Sequence, residues 1–363
     1  MKAITVGSAM YDIIVLAADS DIERMTMHNA TSSFLLLEQG RKIEAMSISN
    51  HIGGGAINAA VAMARLGIDV RPLVKIGCDT NAEHILKRMK KEGINTDAVI
   101  RCDELPTGTA VMVSSHDRNA TIFTQRGTNT LLTPNEVTDA TISGNDLVYV
   151  TGLSNRSADC FPIIVTEGHK AGAFVAVNPG IRQLTSRPAA FLDCMDKVDL
   201  LAINKVEAEA LVPAMSAHSD TDIAHDDCAD PNAPRLMRVG LAFGGFRMGL
   251  KRFFEAVRAR GVGRVLVTDG VDGSYLADDS GIYYCPILRG EVRGTAGAGD
   301  AFISTLSAFL ANGRPAELAL RAATINASAV VAEIDTQIGL MTLEDLEQAI
   351  VEHTTCLPIT PLA

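Results

Sequence analysis

Short apolar runs alternate with amphipathic stretches along most of the chain. The run 73–76 (Leu-Val-Lys-Ile) precedes an amphipathic segment at 81–91, and 146–150 (Asp-Leu-Val-Tyr-Val) precedes one at 159–170. The runs 174–177 and 198–203 continue the series. Apolar runs of strand length separated by helical patterns predict a mostly parallel sheet with helices on both faces. In such sheets ligands bind beyond the C-terminal ends of the strands. Asp12, residues 53–58, Asn204 and Asp300 all follow apolar runs or open helical patterns.

Two regions depart from this rhythm. Residues 42–52 alternate with period two: Met46, Ile48 and Ile52 point one way, and Ser47, Ser49 and His51 the other. That pattern predicts a half-exposed strand. Residues 109–113 and 121–124 flank the turn-rich 116–119 and predict a hairpin. With 12–16 and 33–37 they predict a small second sheet, built from about 11–52 and 105–128 of a single domain spanning 1–363. Residues 214–250 are irregular, first polar and then rich in Gly and Phe. His218, His225, Asp226, Asp227 and Cys228 lie there without an established metal-ligand spacing, so a solvated loop and no metal site are expected.

Composition narrows the function. A chain of 363 residues with 47% hydrophobic content can bury a large core. The net charge of −11 argues against nucleic acid or an anionic membrane surface as partner. No apolar run of spanning length or secretory leader pattern is seen, and seven scattered cysteines without a Cys-x-x-Cys pair suit a reducing compartment. A cytoplasmic location is expected.

One short stretch carries the most chemistry: Gly294-Thr-Ala-Gly-Ala-Gly-Asp300, running into an apolar helical pattern at 301–310. Glycines let backbone amides approach a ligand, and a helix N-terminus offers unpaired N–H groups with partial positive charge. Gly297, Ala298 and Gly299 therefore form a candidate phosphate cradle. Asp300 beside it is either a base for an attacking hydroxyl or a plain N-cap. A second glycine run, 53–55, opens the helical pattern that carries Asn58, and Gly54 and Gly55 let the backbone come close to a ligand. Asn204 and Glu207 are spaced to share one face of a helix, or to cap it. Thr268, Gly270 and Gly273 form a turn after a strand pattern.

In this order and spacing, the set resembles the ribokinase-like (PfkB) family of carbohydrate and nucleoside kinases, from about residue 4 to about 349. The resemblance implies a ribokinase-like α/β fold whose small β-sheet is a lid over the sugar. It implies an enzyme that transfers the γ-phosphoryl group of ATP to a sugar hydroxyl, with Asp300 as general base and an anion hole at 297–300. Asp12, Gly54, Gly55 and Asn58 would bind the sugar. Asn204 and Glu207 would lie near Mg2+ and the phosphates, Thr268, Gly270 and Gly273 beside the nucleotide, and Asn326 near the adenine. Arg126 and Asn129 resemble positions in kinases of ketoses and keto acids; a surface Arg in a turn is the other reading. Residues 214–250 look like an insertion relative to the family. Gly294 stands where many members carry an Asp that helps bind a potassium-type cation, so cation activation is not expected. A nucleoside kinase of the same family and a non-catalytic sugar-binding protein are the competing readings, and a homodimer through the lid sheet is a further expectation.

Overall fold

The structure is a computed structural model, and it describes residues 1–17, 23–26, 33–36, 40, 42–114, 121–216 and 230–362. Its centre is a nine-stranded sheet. Six parallel strands run in the order Asp69–Leu73, Lys2–Val6, Leu147–Val150, Phe174–Val177, Leu200–Asn204 and Arg264–Thr268. Three antiparallel strands, Ser274–Asp278, Gly281–Cys285 and Thr360–Leu362, extend the Arg264–Thr268 edge. The parallel strands are apolar on both faces because helices cover both. Ile57, Met63, Leu306 and Leu320 pack on one side, and Phe161, Ile164, Leu211 and Phe253 on the other.

The predicted second sheet exists, with four strands in the order Thr121–Gln125, Gly108–Ser114, Met10–Ala17 and Ala45–Gly53. Two expectations need correction. Ser33–Leu36 pairs instead with Glu23–Thr26 as a separate two-stranded ribbon; Leu37 and the turn at 116–119 lie outside the described residues. The half-exposed strand Ala45–Gly53 turns its apolar side outward. Met46 and Ile48 are 55% and 66% exposed, whereas the His51 side chain is turned inward and only 14% exposed. The inner face carries the polar Asp12 and His51 beside the buried Ile14 and Met112, so period two located the strand but not its buried side. Lastly, residues 230–250 are not a plain loop. They contain the helix Arg235–Val239 and the hairpin Leu241–Phe243/Phe246–Met248, and bury Leu236, Leu241 and Met248. His218, His225, Asp226, Asp227 and Cys228 lie outside the described residues.

Asn129 ties the small sheet to the body. Its Oδ1 accepts from the Ala9 amide at 2.8 Å, and its Nδ2 donates to the carbonyls of Ala9 and Arg126 at 2.9 and 3.0 Å. It is buried and fully engaged, so it is a structural clip and not a ligand contact. Asn129→Ala leaves a buried backbone amide and carbonyl unpaired. It should lower unfolding stability by about 1–3 kcal/mol in urea titration; an unchanged midpoint would contradict this role.

Candidate active site

The helix Ala298–Ala311 starts at Gly297, whose φ of 80° is left-handed and suits glycine. A Cβ there would lie 2.7 Å from Cβ of Thr336. At Gly299 a Cβ would meet no atom within 4 Å, so the first turn opens onto free space. The Ala298 amide donates to the Thr295 carbonyl at 3.4 Å, and the next amides of a helix's first turn have no acceptor within the helix, the condition for a candidate anion cradle. Asp300 lies in the same turn.

The helix Gly55–Arg65 brings Asn58 to it from the other end of the sequence. Asn58 Nδ2 donates to Asp300 Oδ2 at 2.8 Å. Its own Oδ1 accepts from Gln337 Nε2 at 2.9 Å and Thr336 Oγ1 at 3.2 Å. Gly54 caps this helix at a φ of 94°, and a Cβ on it would stand 2.5 Å from the Ser8 carbonyl. Gly55 lies against Thr151, with room for no side chain. The glycine run thus sets Asn58 in place by close packing of backbone on backbone.

Asp12 projects from the inner face of the small sheet directly opposite His51. It is 7% exposed, and its Oδ2 occupies the space that a Cβ on Gly53 would need. Burial pushes its pKa up to about 6; the His51 charge opposes this, and Asp300 and Asp335 add to it. Burial likewise raises the pKa of Asp300, against the lowering effect of the Asn58 hydrogen bond. Asp12, Asn58 and Asp300 therefore share one pocket, at the edge where parallel strands end.

Four residues of this pocket escaped the sequence reading. His51 Nδ1 meets Asp335 Oδ2 at 2.5 Å, and Nε2 meets Ser49 Oγ at 2.7 Å. Asp335 Oδ1 accepts from the amides of Gln337 and Ile338. Gln337 Nε2 and Thr336 Oγ1 also donate to the Ile52 carbonyl. The segment 335–337 thus holds the small sheet, Asn58 and Gly297 together. Its polar run after the buried helix Ala316–Val331 was the available signal, but nothing in it names a partner.

The remaining candidates divide. Asn204 and Glu207 cap their helix reciprocally: the Asn204 amide donates to Glu207 Oε2 at 2.9 Å and the Glu207 amide to Asn204 Oδ1 at 3.0 Å. Burial pushes Glu207 up to about 7, opposed by its bonds with Asn204. Thr268 ends the strand beside Asn204, and Gly270 and Gly273 shape the turn after it. Arg235 Nη1 clamps this turn, at 3.0 Å from both Asp269 oxygens and 3.2 Å from Asp272. Asn326 is a correction. It is fully buried and bonds Thr305 Oγ1 and the Met341 amide, which leaves nothing for an adenine. Arg126 stands at the end of the small sheet, where it lines a groove with Thr124, Asn155 and Arg182. Among the described residues there is no cluster of three or more His, Cys, Asp or Glu able to hold a metal, and no helix is long and apolar enough to cross a membrane.

Comparison with known proteins identifies the family and the fold. The model of the pfkB family carbohydrate kinases matches residues 3–227 and 249–343, and the chain belongs to that family of phosphotransferases. It is 25% identical over 312 residues to a bifunctional ribokinase/ribose-5-phosphate isomerase A of Fructilactobacillus sanfranciscensis, covering 85% of this chain and 48% of that protein. The chain therefore spans about half the length of that relative. The ribokinase structure of Thermotoga maritima superposes with a TM-score of 0.72 at 20% identity, over 97% of this chain and 99% of that one. A nucleoside kinase of Burkholderia thailandensis, solved with inosine, gives 0.72 at 18% identity over 98% and 100%. The fold is ribokinase-like.

The raised pKa of Asp12 has a consequence for stability. Its folded pKa of about 6 exceeds the ordinary 3.8, so the folded state binds this proton more tightly than the unfolded state does. The stabilisation from that proton is present at low pH and lost as pH rises through about 6. Asp12→Asn should stabilise the ligand-free protein at pH 7 by on the order of 1–3 kcal/mol. The gain should shrink toward pH 4. A variant less stable than wild type at pH 7 in thermal melts would refute this.

Proposed function

We propose that the chain transfers the γ-phosphoryl group of ATP to a hydroxyl of a small sugar, with Asp300 as general base. The observation that carries this reading is the Asn58–Asp300 hydrogen bond at the mouth of a glycine-lined helix N-terminus. Asn58 holds Oδ2 of the carboxylate, which leaves Oδ1 to take the proton of the acceptor hydroxyl. Burial raises the proton affinity of Asp300, which improves it as a base near neutral pH. The proton leaves the hydroxyl as its oxygen bonds to the γ-phosphorus and the bond to the β-phosphate bridge breaks. Charge on the transferring phosphoryl oxygens falls on the amides at 297–300.

Asp12 fixes the sugar from the opposite wall by accepting from its hydroxyls, and Asn58, with one Nδ2 hydrogen on Asp300 and its Oδ1 held by Thr336 and Gln337, has its second Nδ2 hydrogen to donate to the sugar. The small sheet above them keeps water from competing with the sugar. Magnesium on the ATP phosphates would neutralise their charge, and Asn204 and Glu207, which bond each other, would reach it through water. The turn 269–273 would flank the nucleotide. The exposed apolar Met46, Ile48 and Phe123 suit the small sheet for contact with a second copy of the chain. A nucleoside acceptor also presents a ribose to Asp12 and Asn58, so the acceptor panel must contain one.

Asp300→Asn keeps shape and removes the proton acceptor. A fall in kcat of about 10²–10⁴-fold is expected, with ATP affinity largely kept. Activity within a few-fold of wild type would exclude Asp300 as base. Stoichiometric sugar binding without turnover by the wild-type protein would instead support a binding protein.

Gly294 offers a monovalent cation only a backbone carbonyl. A Cβ there would lie 3.0 Å from the Glu333 carbonyl, a tight contact that a side chain at this position would have to push aside by a few tenths of an ångström. Weak or absent activation by potassium is expected in initial rates at constant ionic strength. Strong, saturable activation would show that other groups replace the missing carboxylate.

A further inference from the structure

The segment 228–248 lies between the two stretches that the family model matches, so it is an addition of this chain. Its helix Arg235–Val239 and its hairpin Leu241–Phe243/Phe246–Met248 brace two elements of the large sheet's surroundings. On one side Leu241 and Met248 are buried with Leu211, Val212 and Met215 of the helix Lys205–Ser216. The Ala242 amide donates to Glu209 Oε1 of that helix at 3.4 Å. On the other side Leu236 is fully buried, and its amide donates to the Tyr275 hydroxyl at 3.0 Å. The braced helix starts at the Asn204–Glu207 cap, and Tyr275 follows the turn 269–273. Cap and turn stand at the C-terminal ends of the neighbouring parallel strands Leu200–Asn204 and Arg264–Thr268. That is the edge at which sheets of this kind receive ligands.

Arg235 is where the added segment meets the turn by charge. One nitrogen, Nη1, lies 3.0 Å from both oxygens of Asp269 and 3.2 Å from Asp272 Oδ2. The Asp269 side chain is only 5% exposed, and among the described residues no other basic group pairs with either carboxylate. The backbone of the turn has its own fastenings. The Asp269 amide donates to the Gly273 carbonyl at 2.8 Å, and the Tyr284 hydroxyl to the Asp272 carbonyl at 3.1 Å. Gly273 has a φ of 93°, and a Cβ on it would stand 2.5 Å from the Cys285 carbonyl. Since these bonds already shape the turn, the distinct contribution of Arg235 is its charge. In a chain of net charge −11, two uncancelled carboxylates at a ligand-binding edge would repel a polyphosphate.

We infer that Arg235 is a positioning residue for the nucleotide: by cancelling the charges of Asp269 and Asp272 it lets the phosphates of ATP lie beside the turn. This rests on the phosphotransfer reading above and adds to it a determinant of nucleotide affinity that the chain carries outside the matched stretches. Arg235 acts through the two carboxylates and not on the reacting atoms. Its loss therefore weakens ATP binding in ground state and transition state alike, which moves KM for ATP and leaves kcat in place. A clamp that served the fold alone would lower stability and leave nucleotide affinity unchanged. The two roles also differ in what repairs the defect. Neutral amides at 269 and 272 restore an electrostatic function but not a lost ion pair.

The test is calorimetric titration of the full chain with ATP and Mg2+, joined to initial rates with the best acceptor among ribose, fructose and inosine. Arg235→Gln should weaken ATP binding and raise KM for ATP by roughly tenfold, with kcat and the acceptor KM within about twofold of wild type. Arg235→Lys keeps the charge and should keep most of the affinity. The difference between wild type and Arg235→Gln should shrink as sodium chloride is raised. Combining Arg235→Gln with Asp269→Asn and Asp272→Asn should return ATP affinity to near the wild-type value. Tight ATP binding by Arg235→Gln with only a lower melting temperature would overturn the inference and leave phosphotransfer standing. A triple variant as weak as Arg235→Gln would overturn it too, and this arm decides even if the single variant does not fold. Wild-type protein that binds no ATP would reject the phosphotransfer reading, and the inference with it.

Discussion

The hydrogen bond from Asn58 to Asp300 is the contact on which the rest of the site depends. It joins two helix N-termini that are 242 residues apart in sequence. Each helix begins at a glycine of positive φ packed against its neighbours, so neither start has room for a side chain. Asn58 in turn is gripped by Thr336 and Gln337, which also hold the Ile52 carbonyl of the small sheet. A candidate base, an anion cradle and the covering sheet are therefore mechanically one unit. The buried amide at its centre has its donor and acceptor both used, the condition under which a polar group in a core specifies a single arrangement.

Burial then supplies the chemistry. Asp12 and Asp300 are carboxylates withdrawn from water, and among the described residues no guanidinium or ammonium group is bonded to either. In a purely structural site such groups would be replaced or paired. Here they form a polar pocket that a hydroxylated ligand completes, by donating the hydrogen bonds that water no longer provides. The cost to the unliganded fold and the capacity to bind a polyol are two sides of one arrangement.

Much of this was legible in the sequence, because backbone requirements leave local traces. The apolar runs at 146–150, 174–177 and 198–203 gave parallel strands of the large sheet, whereas 73–76 straddles the end of Asp69–Leu73 and the short strand Lys75–Ile76, which pairs with Ile100–Arg101 in a separate ribbon; the glycine runs at 53–55 and 297–299 marked the two helix starts that meet. What was not legible depends on partners. His51 occupies a polar position of an alternating strand, and only the fold turns that side inward toward Asp335. Asn326 sits in a helix near the right place, but its polar atoms are spent on Thr305 and Met341. Asn129 looked like a ligand residue for the same reason that it makes a good clip: an amide can bond a backbone amide and carbonyl at once. The nucleotide-side turn carries a further unread feature, since Arg235 comes from the segment between the two matched stretches of the family model.

The inverted polarity of the small sheet bears on how the pocket opens. Its outer face carries exposed Met46, Ile48 and Phe123, while its inner face presents Asp12, His51 and Thr124 to the pocket. Lifting such a sheet would expose the apolar side chains that share its inner face, Met10, Ile14, Ala110 and Met112, all of them buried. Apolar burial therefore favours the lowered position. Polar links add to it, chiefly His51–Asp335 and the bonds to Ile52, each worth on the order of 1 kcal/mol in net terms. A ligand that bonds both Asp12 and the body joins the same side of that balance.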